Sequence, residues 1–301
     1  MRAVVLVSGG DAVTPFTTPN AACGSGLAAG NTCTALREHL LREGFAVFTA
    51  PAMNATGTVK QPPAESFGAF GEMPEVLPAE STINSRGDID EAGTALARFV
   101  ELLADRYGVT EIDWIGHSNG GLFARSATRI LQQTDSVVRV RSLITLGTPW
   151  CGAMPLEVVF GELTDPSLRE NAELRGIIDG TQAEVAHQPP LARQQLWSFL
   201  EGWNADQAGV LADVPSLLIG GSWFSNDAGD PHAWPLDGLV SVSSAHATRL
   251  PRELVPLATR KHYSLTHSIF ISNLLGLDWQ TALTWNTDVL TDITAFLRVR
   301  A

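Results

Sequence analysis

Apolar residues along this chain fall into two patterns, short continuous runs and longer stretches where every third or fourth position is apolar. The runs are "AVVLVS" (3–8), "FAVFTA" (45–50), "EIDWIG" (111–116), "VVRVRSLITLG" (137–147) and "VPSLLIGG" (214–221). Runs of this length bounded by glycine and polar residues predict buried strands. Helical spacing appears in 31–44, through Leu36, Leu40 and Leu41 with Gly44 as a stop. It recurs in 88–108, which opens on acidic residues and repeats Ala95, Phe99 and Leu102, in 119–133, and in a closing stretch at 287–300. Residues 56–80 are rich in Pro and Gly without periodicity and predict a long loop.

Strands alternating with helices predict an α/β protein, a parallel sheet with right-handed crossovers. The rhythm breaks between Trp150 and Asp213, an interval of helical pattern with Pro189–Pro190 and "LWSFLEGW" at 196–203. The expected organisation is one domain over 1–301 carrying a helical insertion at 151–213.

Composition narrows the function. With 45% hydrophobic and 17% charged residues over 301 positions, the chain can bury a sizeable core. A net charge of −12 without a basic cluster argues against nucleic acid. No apolar run approaches the roughly 18 residues of a membrane span. "MRAVVLVSGG" reads as a first strand and not a signal peptide, so the expectation is a cytoplasmic protein, or a secreted one if a leader has been removed. The three cysteines form no metal motif. Cys23 and Cys33 could pair across a Gly- and Ala-rich loop, leaving Cys151 over, but thiols are expected. No cofactor or metal is implied.

The segment "IGHSNGG" (115–121) carries the chemistry. It sets Ser118 between Gly116 and Gly120, after a predicted strand and before a predicted helix, which is the context of a nucleophile elbow. A serine hydroxyl needs an imidazole to take its proton and a carboxylate to orient that imidazole. Of seven histidines, His117 lies inside the elbow and reads as structural. The other six are His39, His187, His232, His246, His262 and His267.

With "GHSNGG", "LGTPWCGA", "DGLVSVSSA" and a following "THS", nearly the whole chain resembles the bacterial lipase and esterase branch of the α/β-hydrolases. The resemblance implies a mostly parallel sheet of about six strands flanked by helices, with the insertion as a cap or lid. It also implies a triad of Ser118, Asp237 and His267. The Ser-acid-His order that the resemblance implies sets aside His39 and His187, which precede the last sheet strands, and His232, which precedes Asp237. It leaves His246, His262 and His267, with His262 second to His267, and Asp227 and Asp230 as alternatives for the acid. The oxyanion donors would be the amides of Asn119 and of Gly10 or Asp11, because "SGGD" replaces the usual His-Gly-x. The implied activity is carboxylic ester hydrolysis through an acyl-enzyme. The implied substrate is a small-molecule or lipid ester, with transient contact at a lipid interface. An amidase, a thioesterase or a catalytically silent binding relative would share these features. In the insertion, Trp197, Phe199 and Trp203 are the expected substrate contacts, and packing of these side chains is the alternative.

Overall fold

The computed structural model describes residues 1–21, 27–63, 67–71, 74–185 and 189–299. The first half runs β1 (Arg2–Val7), α1 (Thr34–Arg42), β2 (Val47–Thr49), β3 (Ala52–Met53), β4 (Ile83–Asn84), α2 (Ile89–Tyr107), β5 (Glu111–His117), α3 (Gly120–Gln133) and β6 (Arg139–Leu146). Five helices follow: α4 (Met154–Val159), α5 (Ser167–Glu170), α6 (Ala172–Val185), α7 (Pro190–Gln194) and α8 (Trp197–Asp206). The chain then returns through β7 (Ser216–Gly221), α9 (Val242–Ala245), β8 (Ala258–Tyr263), α10 (Ile269–Leu274) and α11 (Thr287–Val299).

Six strands form one sheet in the order β2-β1-β5-β6-β7-β8, every neighbouring pair parallel. Side chains of a strand alternate between faces, and a strand covered on both faces is apolar throughout. In β1, Ala3, Val5 and Val7 join the core shared with α2 and α3, while Val4 and Leu6 join the core shared with α1 and α11. That double burial is why β1 and β7 read as apolar runs, while β5 carries one buried charge, Asp113, paired with Arg2 (2.6 Å) and accepting the Ser142 hydroxyl (2.7 Å).

β8 was not expected. Its sequence, Ala-Thr-Arg-Lys-His-Tyr, is largely exposed because it forms the sheet edge, where charged side chains also discourage pairing with another chain. The two-residue pair β3–β4 is likewise too short to leave a pattern.

α2 starts where its cap dictates. The Asp88 carboxylate accepts the amides of Asp90 and Glu91, and Gly108 at φ 64 closes the helix. Its buried face is centred on Leu96, Phe99, Val100 and Leu103. Ala95 and Leu102 lie at the margin of that face and are half-buried.

The five helices between β6 and β7 do not form a separate core. Leu174, Ile177 and Ile178 of α6 pack with Phe224, Trp234, Leu236 and Ile271. Leu156, Ala192 and Leu196 make a smaller cluster, and Leu200 and Trp203 of α8 join the main core. No helix among the described residues is long and apolar enough to cross a membrane. Cys33 and Cys151 are buried thiols, and burial raises them to about 11 and about 12 respectively. Cys23, and with it any pairing to Cys33, lies outside the described residues, as does His187.

Candidate active site

Ser118 sits between β5 and α3 at φ 54, a left-handed conformation that a serine adopts only when its surroundings hold it there. Three hydrogen bonds do so. Its amide donates to the Leu146 carbonyl (2.8 Å), and its carbonyl accepts the Thr148 hydroxyl (2.7 Å) and the Gly121 amide (3.2 Å). The Thr of the Gly-Thr-Pro segment thus has a definite task, fastening the elbow. The flanking glycines are required by contact: a Cβ on Gly116 would lie 2.4 Å from the Gly121 nitrogen, and one on Gly120 would lie 2.2 Å from the Val7 carbonyl oxygen. Gly9 packs equally close, since a Cβ there would come within 2.5 Å of Ser118 Cβ.

His267 is buried in the loop before α10, and its Nδ1 lies 2.8 Å from Asp237 Oδ2. Asp237 is fully buried. Its other oxygen accepts the amides of Leu239 (2.9 Å) and Val240 (2.8 Å), and its own carbonyl accepts the His267 amide (2.9 Å). The Asp-Gly-x-Val turn therefore holds the carboxylate by backbone on one side and offers it to the imidazole on the other. Asp227 and Asp230 are exposed, and Asp230 binds the His232 amide. Among the alternative bases, His262 is exposed, and His246 is buried with Nε2 on the Lys261 carbonyl. His117 donates from Nε2 to the His267 carbonyl (2.9 Å), and burial, reinforced by the nearby His267, pushes it down to about 3. A neutral His117 is thus a strut under the His267 backbone.

Ser118 and His267 both face a cavity of about 950 Å³, with Gly10, Asn119 and Asp11 also on its wall. The Asp11 amide is engaged by the Ser85 carbonyl (3.2 Å). The amides of Gly10 and Asn119 have no hydrogen-bond partner among the described residues. Gly10 is thereby the better of the two expected donors beside Asn119.

Residues 72–160, which contain the elbow, match the family described as "Putative serine esterase (DUF676)". Solved structures extend the likeness to the whole chain. Bacillus licheniformis lipase BlEst2 in mature form aligns at TM-score 0.56 and 13% identity, over 99% of this chain and 91% of that one. The chain has the α/β-hydrolase fold. The metagenomic carboxyl esterase MGS0156 (TM-score 0.53, 13% identity, 100% and 75% of the two chains) shares it. So does the Listeria innocua lin2722 product (0.51, 18%, 99% and 94%). No curated protein matches the sequence.

The expected contacts from α8 need correction, because Trp197, Phe199 and Trp203 do not line the cavity. Trp203 is drawn into the main core beside the buried Arg125, whose guanidinium lies 5.6 Å from its ring, and donates to Asp90 Oδ1 (3.2 Å). Trp197 is covered by Arg249 at 3.9 Å, and Phe199 faces solvent. From the inserted helices the cavity is lined instead by Leu156 of α4, Gly176, Ile177 and Gly180 of α6, and Leu191 of α7, and Phe270 and Leu274 of α10 line it as well. Leu191 is among the apolar residues of the insertion that the sequence offers for an acyl pocket; the others carry no signal there, because glycines and isolated apolar residues do not stand out beside a cluster of tryptophans.

Proposed function

We propose that the protein is a serine hydrolase of carboxylic esters, with Ser118 as nucleophile, His267 as general base and then acid, and Asp237 as its orienting carboxylate. The observation that carries this reading is Ser118 held at φ 54 on a cavity wall it shares with a buried, carboxylate-bound His267. With Nδ1–H donated to Asp237, the His267 Nε2 lone pair is left to take the serine proton.

Ser118 Oγ attacks the ester carbonyl carbon as its proton passes to His267. The developing oxyanion accepts the amides of Gly10 and Asn119, which need not break existing bonds to donate. His267 returns the proton to the departing alcohol, and a water it deprotonates then releases the acid from Ser118. An apolar acyl group suits the wall of Leu156, Ile177 and Leu191, and Gly176 and Gly180 leave open space above it, since a Cβ on either meets nothing within 4 Å.

The test is hydrolysis of p-nitrophenyl esters from acetate to palmitate by wild type and Ser118→Ala. The proposal expects turnover in the first and a residual rate in a second that unfolds at the wild-type temperature. A folded Ser118→Ala with near-wild-type turnover would overturn the assignment, and an inert wild type would favour a binding protein.

A further inference from the structure

The oxyanion loop of an acyl-transfer enzyme must hold an amide in place before the charge appears, because reorganisation at the moment of reaction raises the barrier. Gly10 lies between Gly9, wedged against Ser118, and Asp11, a non-glycine residue at φ 58. Such a turn is not self-supporting in an L-residue. One short segment beyond β4 holds it. The Ser85 carbonyl accepts the Asp11 amide, and the Ser85 hydroxyl lies 2.9 Å from the carbonyls of Ala12 and Met53. Arg86 then grips the Asp11 carboxylate with two nitrogens, Nε at 2.7 Å from Oδ1 and Nη2 at 3.0 Å from Oδ2. The Arg86 carbonyl accepts the amide of Leu191, the residue of α7 that packs over Gly10.

We infer that Arg86 is a positioning residue for catalysis, which through a two-pronged bond to Asp11 fixes the Gly10 amide as an oxyanion donor and ties that loop to the cap. The inference rests on the proposed esterase reading. Its energetic signature is specific. The two side chains are 43% and 51% exposed, so the pair contributes little to folding. What it contributes is orientation of one turn, and the bidentate fork matters because a point charge would leave Asp11 free to rotate.

The experiment uses the full chain and a p-nitrophenyl ester that wild type hydrolyses, so that failure of the esterase reading shows first as an inert wild type. Arg86→Ala, Arg86→Lys and Asp11→Asn are compared with Arg106→Ala, which removes an equally exposed pair with Glu75 away from the cavity. Each is assayed for kcat, KM, Tm and inhibition by a trifluoromethyl ketone, whose carbonyl carbon takes the Ser118 oxygen and leaves its oxyanion on the same amides. Arg86→Ala and Asp11→Asn are expected to lower kcat about ten-fold or more, short of the loss of a whole donor, with KM and Tm nearly unchanged. Affinity for the ketone should fall by the same factor as kcat/KM, since the lost interaction belongs to the tetrahedral state. Arg86→Lys should fall between, and Arg106→Ala should match wild type. A raised KM at unchanged kcat would make Arg86 a substrate contact and overturn the inference. So would unchanged kcat with unchanged ketone affinity, or an equal loss in Arg106→Ala. If Arg86→Ala does not fold, Arg86→Lys and Asp11→Asn decide by the same readings.

Discussion

Two pairs of glycines serve the same site for opposite reasons, one beneath Ser118 and one on the cavity wall. At the elbow, Gly116 and Gly120 are glycines because backbone atoms already occupy the space of a side chain, at 2.4 and 2.2 Å from where a Cβ would stand. In α6 of the cap, Gly176 and Gly180 have nothing within 4 Å of that point, and both lie on the cavity wall. The first pair builds a strained turn that no other residue fits. The second leaves room, although glycine in a helix interior costs about 1 kcal/mol against alanine. One half of the site is thus specified by contact and the other by vacancy, and mutation should tell them apart.

The largest effect expected lies on the specified half. His267→Ala should lower kcat/KM at least about a thousand-fold, His262→Ala and His246→Ala should not, and the loss should fail to add to that of Ser118→Ala. If His262→Ala is the inactive variant, the geometry around Asp237 has been misread. Next comes Gly120→Ala, whose methyl must displace the Val7 carbonyl. It should lower activity about a hundred-fold or more and Tm with it, whereas Gly180→Ala should keep activity and hold or raise Tm. Equal tolerance at both positions would erase the contrast.

A smaller effect should come from filling the vacancy. Gly180→Leu should turn chain-length preference about ten-fold toward short esters, the scale set by a few pocket methylenes. Trp203→Ala, by contrast, should lower Tm by loss of core packing without moving that preference. A shifted preference in Trp203→Ala with none in Gly180→Leu would restore α8 as the substrate wall.

Gly152, at the entry to the cap, stands between these cases. At φ 121 it presses on a side chain, the Glu157 carboxyl, with a would-be Cβ 2.4 Å from its carbon. Burial raises Glu157 from 4.5 to about 7, against the pull of Arg249. A carboxyl whose folded value is raised favours folding fully below pH 4.5 and loses that contribution as pH rises through 7. Glu157→Gln should therefore gain on wild type in Tm between pH 5 and pH 8, by at most about 1–3 kcal/mol of stability. A constant difference across that range would show that the carboxyl does not titrate there.

Much of the frame was legible because double burial writes itself as apolar runs, as in β1 and β7, and because Asp88 and Gly108 mark the ends of α2 chemically. β8 was not, since an edge strand such as Ala258–Tyr263 needs polar side chains and so loses the pattern that identifies strands. In the site, Ser118 was legible from local spacing, but Asp237 and His267 needed a resemblance, because thirty and more residues separate members that meet only in the fold. Arg86 left no trace at all. Its neighbour β4 is two residues long, and its role depends on Asp11, 75 positions earlier. The cap misled because tryptophan is conspicuous and glycine is not.

An activated Ser118 should react with a fluorophosphonate, and the mass of the peptide that carries the adduct tests this. One stoichiometric adduct is expected on Ser118 in wild type, and an adduct forming far more slowly in His267→Ala. An adduct on another residue, or none in a preparation that hydrolyses esters, would contradict it.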